Sequence, residues 1–224
     1  MRIFERIAPR LVHRFARVSR LALAGLLLLP FLAGADAASC DVRLNEFMAG
    51  PSRDWNGDGL FSARDDEWVE LIDTGTSDMD LSLFLVSDGD STFRWGGSGT
   101  IHAGEHLCLF GSDAVTWEHD HGRGTVGFSL ANAGDKVILW QVEGADTVVI
   151  DSYAYKPHEG ASDRAVGRLP DGTGAWSLYD GLDLYTGTLD PRGNGCNPSP
   201  RLANACTNSP TGAATWGRMK AAYR

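Results

Sequence analysis

Between Ser39 and Cys206 the apolar residues of this chain never hold a helical period for three full turns. They alternate with polar residues over short runs that stop at Gly, Asp or Ser, as in Trp68-Val69-Glu70-Leu71 and Lys136-Val137-Ile138-Leu139-Trp140. A period of two puts successive side chains on opposite faces, which suits a half-buried strand and no helix. The pattern predicts strands at Val42–Phe47, Glu67–Ile72, Leu81–Val86, His106–Phe110, Lys136–Trp140, Thr147–Tyr153 and Val166–Leu169. Asp88-Gly89, Ala103-Gly104, Ala133-Gly134, Glu143-Gly144 and Asp171-Gly172 supply turn signals between or beside them. Even spacing of short strands points to an all-β, antiparallel sandwich or barrel.

Residues 1–37 read as a secretory signal peptide. Arg2, Arg6, Arg10, Arg14, Arg17 and Arg20 precede an apolar run from Leu21 to Ala33, and Ala35-Asp36-Ala37 supplies small residues for cleavage. The run is about 13 residues, against the roughly 20 that a helix needs to cross a bilayer. A mature chain without a membrane span is expected, secreted, periplasmic or at the cell surface. An uncleaved anchor and an acylated Cys40 are the alternative readings of this segment.

Residues 1–37 hold six arginines against Glu5 and Asp36, so the remainder carries 14 basic and 27 acidic side chains, a formal charge of −13. Such a surface repels nucleic acid and anionic lipid and suits cations. The four cysteines, Cys40, Cys108, Cys196 and Cys206, all follow the signal. None has CxxC spacing, and an even count in an oxidising compartment favours disulfides. Cys196 and Cys206 flank Asn197-Pro198-Ser199-Pro200 and are expected to pair, which leaves Cys40 for Cys108; a buried free thiol at Cys108 is the alternative. The domain is expected over 38–196, a Pro/Asn/Ser-rich linker over 197–212, and a short tail over 213–224. Trp216, Met219 and Tyr223 could give that tail one apolar helical face.

The sharpest chemical motif is Asp54-Trp55-Asn56-Gly57-Asp58-Gly59-Leu60-Phe61-Ser62-Ala63-Arg64-Asp65. Asp54, Asn56 and Asp58 put oxygens at positions 1, 3 and 5 of a twelve-residue calcium loop. Gly59 falls where the chain must turn sharply. The Leu60 carbonyl stands at position 7, Ser62 at position 9 and Asp65 at position 12. Ca²⁺ takes six to eight hard oxygens, and alternating residues on a curled backbone deliver them to one side. The loop resembles that of bacterial dockerin modules, which also close with Asp. It lacks a second copy, and Met48-Ala49-Gly50-Pro51 cannot form an entering helix. An ion here would pin the connection between the first two strands.

Around the loop, Leu44-Asn45-Glu46-Phe47, Asp66-Glu67-Trp68-Val69-Glu70-Leu71, Asp80-Leu81-Ser82 and Val86-Ser87-Asp88 occur in order. Ser129-Leu130-Ala131-Asn132-Ala133-Gly134-Asp135, Asp151-Ser152-Tyr153 and Ser162–Arg168 follow. This series resembles the lamin tail domain in its bacterial, secreted form, over most of residues 41–170. The resemblance implies an immunoglobulin-like β-sandwich. It also implies an interaction surface in nuclear lamins and an accessory module beside secreted hydrolases in bacteria. There is no coiled-coil rod, basic localisation run or prenylation motif, so nuclear roles are not carried over. Within the pattern, Asn45 and Glu46 are expected to hold strand ends, and Glu70 to face solvent or the acidic loop.

Other constellations are weaker. Glu118-His119-Asp120-His121 would place two imidazoles on one face of a strand, but a metal would need further ligands from His102, His106 or His158. Gly97-Ser98-Gly99 is followed by Thr100 and reads as a turn instead of a nucleophile elbow. Trp95, Trp117, Trp140, Trp176 and Tyr179 would make a sugar-binding face only if exposed together. The sequence thus predicts an exported, calcium-stabilised, non-catalytic module for a protein or cell-surface polymer. The alternatives are a carbohydrate-binding module and, behind it, a small calcium-dependent hydrolase.

Overall fold

The computed structural model describes residues 41–206. The strands are β1 (Val42–Met48), β2 (Trp68–Asp73), β3 (Met79–Asp80), β4 (Phe84–Ser87), β5 (Phe93–Gly96), β6 (Thr100–Ile101), β7 (His106–Phe110), β8 (Asp135–Glu143), β9 (Asp146–Tyr155), β10 (Ala165–Leu169) and β11 (Ala175–Tyr179), with helix α1 at Gly111–Asp120. One sheet runs β11-β10-β1-β2-β7, a second β5-β4-β8-β9, and β3 pairs with β6. The named strand pairs are antiparallel. Val42, Leu44, Phe47, Val69, Leu71 and Val166 from the first sheet meet Phe84, Val86, Val137 and Leu139 from the second in one core. Burying apolar surface between two inner faces is what the alternating strands require.

The strand reading is close at β1, β2, β7, β8, β9 and β10. Three local departures have physical causes. The run predicted as a strand from Leu81 begins as a 3-10 turn over Leu81–Leu83, where the Asp80 carboxylate accepts the Ser82 N–H. Helix α1 is ten residues, just under three turns, so its period is too brief to register. It also moves the Glu118–His121 segment off the expected strand. Positions i and i+2 of a helix do not share a face. His121 stacks on Trp117 and His119 sits beside Asp120, while Glu118 is buried and accepts the Val126 and Gly127 N–H groups.

The larger departure concerns the outer face of the five-stranded sheet. A sandwich sheet that leaves one face to solvent alternates in burial, yet every residue of β2 is buried. The cover is the segment expected to be a linker. Cys196 and Cys206 form a disulfide with a Cα–Cα distance of 5.5 Å. The strap they close lies against the outer face, where Met48, Trp68, Phe110, Ala165, Tyr179 and Cys196 make a second apolar cluster. Residues 197–206 are therefore docked. Residues 207–212, the tail over 213–224, the signal over 1–37 and Cys40 lie outside the described residues. Cys108 is a free, part-buried thiol among the described ones.

Candidate functional site

Two acidic regions flank β1, one exposed and one buried. The exposed region is the loop between β1 and β2. Asp54 accepts the N–H groups of Gly57 at 2.6 Å and Gly59 at 2.8 Å, the Asn56 side-chain oxygen accepts the Asp58 N–H at 2.9 Å, and Asp58 accepts the Leu60 N–H at 2.7 Å. These are nested Asx turns, the local alternative that Asp and Asn offer a backbone. Gly57 and Gly59 take φ of 82° and 88°, a region that side chains with a Cβ rarely enter.

The carboxylate that clamps the loop's backbone is that of Asp66, the residue after Asp65. Its buried carboxylate accepts the N–H groups of Trp55, Asn56 and Ser62. Asp65 takes part through its backbone: its N–H donates to the Ser62 hydroxyl, and its carbonyl accepts the Ser112 N–H. A second clamp comes from the β9–β10 connection. Asp163 accepts the Ser52 N–H and hydroxyl, the Arg53 guanidinium and the Trp55 indole N–H. Against the cost of burial, the bonds from Ser52 and Trp55 hold its carboxyl below the usual range. Neither clamp is visible in a twelve-residue pattern, because each arrives from outside it.

The predicted ligand residues are thus gathered on one rigid curl. Among the described residues, no three His, Cys, Asp or Glu side chains converge in a way that holds a metal ion. Asp54, Asn56 and Asp58 turn their oxygens to their own backbone. The donor set is all oxygen, which fits Ca²⁺ by chemistry, and a carboxylate oxygen that accepts one N–H keeps a second lone pair. Leu60 and Phe61 at the loop tip are 72% and 54% exposed. The loop continues into Ala63 and Arg64, which with Glu67, Val126 and Leu130 line a shallow pocket of about 390 Å³. At its floor, burial pushes the Glu67 carboxyl up to about 8, opposed by bonds from the Leu130 and Ser129 N–H groups.

The buried region lies on the other side of β1. A bulge between Leu44 and Glu46 turns Glu46 onto the outer face, directly opposite Glu70 across the strand pair. Both are fully buried, so Glu70, expected to face solvent or the acidic loop, faces neither. Asn45 donates to Glu70 at 2.8 Å and to Asp171 at 3.1 Å, and accepts the Gly172 N–H at 2.8 Å. The strap completes the set. Ser199 donates its N–H to Glu46, Arg201 its N–H to Glu70, and Asn204 its N–H to Asp171. Gly167 opposes Glu46 on the other flank; a Cβ there would come within 2.8 Å of the Asn204 amide and 2.9 Å of Glu46. Burial, then repulsion from Glu70, pushes Glu46 up to about 8; burial also pushes Glu70 up to about 7, against bonds from Asn45 and Arg201.

The aromatic residues weighed as a sugar platform are used internally. Trp95 and Tyr179 are buried, Trp140 packs edge-on to Phe93 and donates to Ser87, and Trp176 packs against Tyr153 under Arg168. Every tryptophan among the described residues is at least partly buried. Ser98 sits in the turn between β5 and β6.

Two antiparallel sheets packed around one core define an immunoglobulin-like β-sandwich. The family model for the Lamin Tail Domain matches residues 35–157, and the chain belongs to that family. Strands β10 and β11 and the strap lie beyond the matched segment yet complete the five-stranded sheet. Comparison with curated proteins and with solved structures gave no match.

Proposed function

We propose that this chain is an exported, non-catalytic interaction module whose contact surface is the tip of the β1–β2 loop, stabilised by Ca²⁺. The observation that carries this reading is the exposure of Leu60 and Phe61 on an otherwise clamped, acid-rich loop. Large apolar side chains presented on a rigid support mark contact sites, since leaving them in water forfeits roughly 1.5–3 kcal/mol each that burial would return. The neighbouring pocket at Ala63, Arg64 and Val126 extends that surface. The oxygen spacing of Asp54, Asn56, Asp58, Leu60, Ser62 and Asp65 supports a calcium role, with the ion neutralising the loop's carboxylates. Export is supported by the basic–apolar–small order of residues 1–37 and by the Cys196–Cys206 disulfide.

The partner proposed is a protein, with a cell-surface polymer as the competing outcome. Capture from an extracellular fraction with the wild-type chain and with a Leu60→Ser, Phe61→Ser double variant tests it. The wild type should retain a protease-sensitive partner in calcium and release at least about tenfold more of it in EDTA or after the double substitution. Equal capture by wild type and variant would remove the loop tip from the interface. A partner insensitive to protease but lost after glycosidase would move it to the polymer class.

A further inference from the structure

The buried carboxylates contain a proton-counting problem. Ser199 Oγ lies 2.9 Å from the Glu46 carboxylate and 2.8 Å from the side-chain oxygen of Asn204. A hydroxyl has one proton to donate. The Asn204 oxygen can only accept, and its orientation is fixed because the amide nitrogen donates to the carbonyls of Arg168 at 2.9 Å and Asn45 at 3.4 Å. The Ser199 proton therefore belongs to Asn204. The remaining contact is a hydrogen bond only if Glu46 is itself protonated and donates to Ser199 Oγ. Glu70 differs: its two oxygens accept from Asn45 and from the Arg201 N–H, bonds that favour its ionised form and leave it the more acidic of the two.

Every element packed on Glu46 agrees with a proton on its carboxyl. Strand β2 presents Glu70, the β10–β11 turn Asp171, β7 the neutral Cys108 thiol, and β11 the Tyr179 hydroxyl. His106 of β7 lies 3.3 Å from Asp171, and Arg168 of β10 is committed to Asp151 and to backbone carbonyls. The strap contributes Arg201, whose guanidinium lies over the Phe110 ring. No ion pair among the described residues involves Glu46 or Glu70. Like charges directly opposite on neighbouring strands repel, and with no cation beside them the pair is relieved by holding a proton.

We infer that the Glu46 proton is a latch: through Ser199 and Asn204 it holds the disulfide-closed strap on the sheet, and its loss as pH rises lifts the strap and opens the outer face carrying Glu46, Glu70 and Cys108. The disulfide keeps the strap a closed loop in both states, so the opening is a local hinging and not an unfolding of the sandwich.

The test is an NMR titration of the full chain from about pH 5 to pH 9, following the Glu46 carboxyl carbon and the Ser199, Arg201 and Asn204 amides. The Glu46 carbon should titrate near 8. After correction for intrinsic exchange, amide protection across the strap should fall by up to about tenfold per pH unit below that midpoint and level off above it. Glu46→Gln carries a permanent donor and should remove the slope while keeping the strap docked. Should that variant not fold, Ser199→Ala on the strap serves instead. It should cut protection at acid pH by about tenfold, the worth of one hydrogen bond, and leave the alkaline value unchanged. A Glu46 carbon that titrates near 4.5 beneath a protected strap would overturn the latch. So would a slope that persists in Glu46→Gln, or a Ser199→Ala chain indistinguishable from wild type at acid pH.

Discussion

The acidic loop at 54–66 and the acidic pair at Glu46 and Glu70 use the same functional group in opposite surroundings. In the loop, Asp54 and Asp58 bond to backbone two to five residues away, at the surface. In the pair, Glu46 reaches Ser199, 153 residues on, and Glu70 reaches Arg201, 131 residues on, with no solvent contact. A local, wet carboxylate meets a cation at little desolvation cost. A remote, dry one must be neutralised or fully hydrogen-bonded to be tolerated. The two regions therefore answer to different ions: the loop to Ca²⁺ in our proposal, the pair to H⁺.

Substitutions separate them most sharply in the dry region. Asn45→Ala removes three hydrogen bonds, two of them buried, and leaves Glu70 and the Gly172 N–H under-satisfied, so denaturant unfolding should show a loss of about 3–5 kcal/mol. A loss below about 1 kcal/mol would mean that water reaches the pair. Cys206→Ser opens the strap covalently and should cost about 3 kcal/mol, with exchange protection falling first at Ser199 and Arg201.

The pH dependence comes next in size. Burial raises Glu46 from 4.5 to about 8 and Glu70 from 4.5 to about 7, so the folded chain retains protons that the unfolded chain has released. The stability these groups contribute is fully present below about pH 4.5 and is lost as pH climbs through 7 to 8, at up to about 1.4 kcal/mol per pH unit for each proton. Melting temperature should fall from pH 5 toward pH 8; a rise over that interval would contradict the burial of both carboxylates. The smallest effect belongs to the wet region. Asp58→Ala in chelator removes one exposed turn bond and a 3.5 Å contact from the Asn56 amide, and should cost no more than about 1 kcal/mol. A larger loss would show that the loop supports the fold without any ion.

What the sequence reveals follows the same division. The period-two alternation of β1, β2, β7 and β8 is a local property of adjacent residues, and it located those strands to within a few positions. The Asx and Gly spacing of 54–59 is local too, and it located the turn geometry. Asp66 lies one place past the end of a twelve-residue template, so the template alone does not give it a role. Glu70 was misplaced because alternation says which residues share a face, not whether that face is covered. The cover is supplied by residues 197–206, whose Pro, Asn and Ser content also describes a linker. The disulfide between Cys196 and Cys206 was legible from spacing; its consequence for the opposite end of the chain was not.

The calcium reading is tested most directly by isothermal titration of CaCl₂ into the chelator-stripped full chain. We predict one saturable site with a Kd of about a millimolar or tighter, abolished by Asp58→Ala and retained by Glu46→Gln. A wild-type trace that matches the heat of dilution, or binding that survives Asp58→Ala, would contradict it.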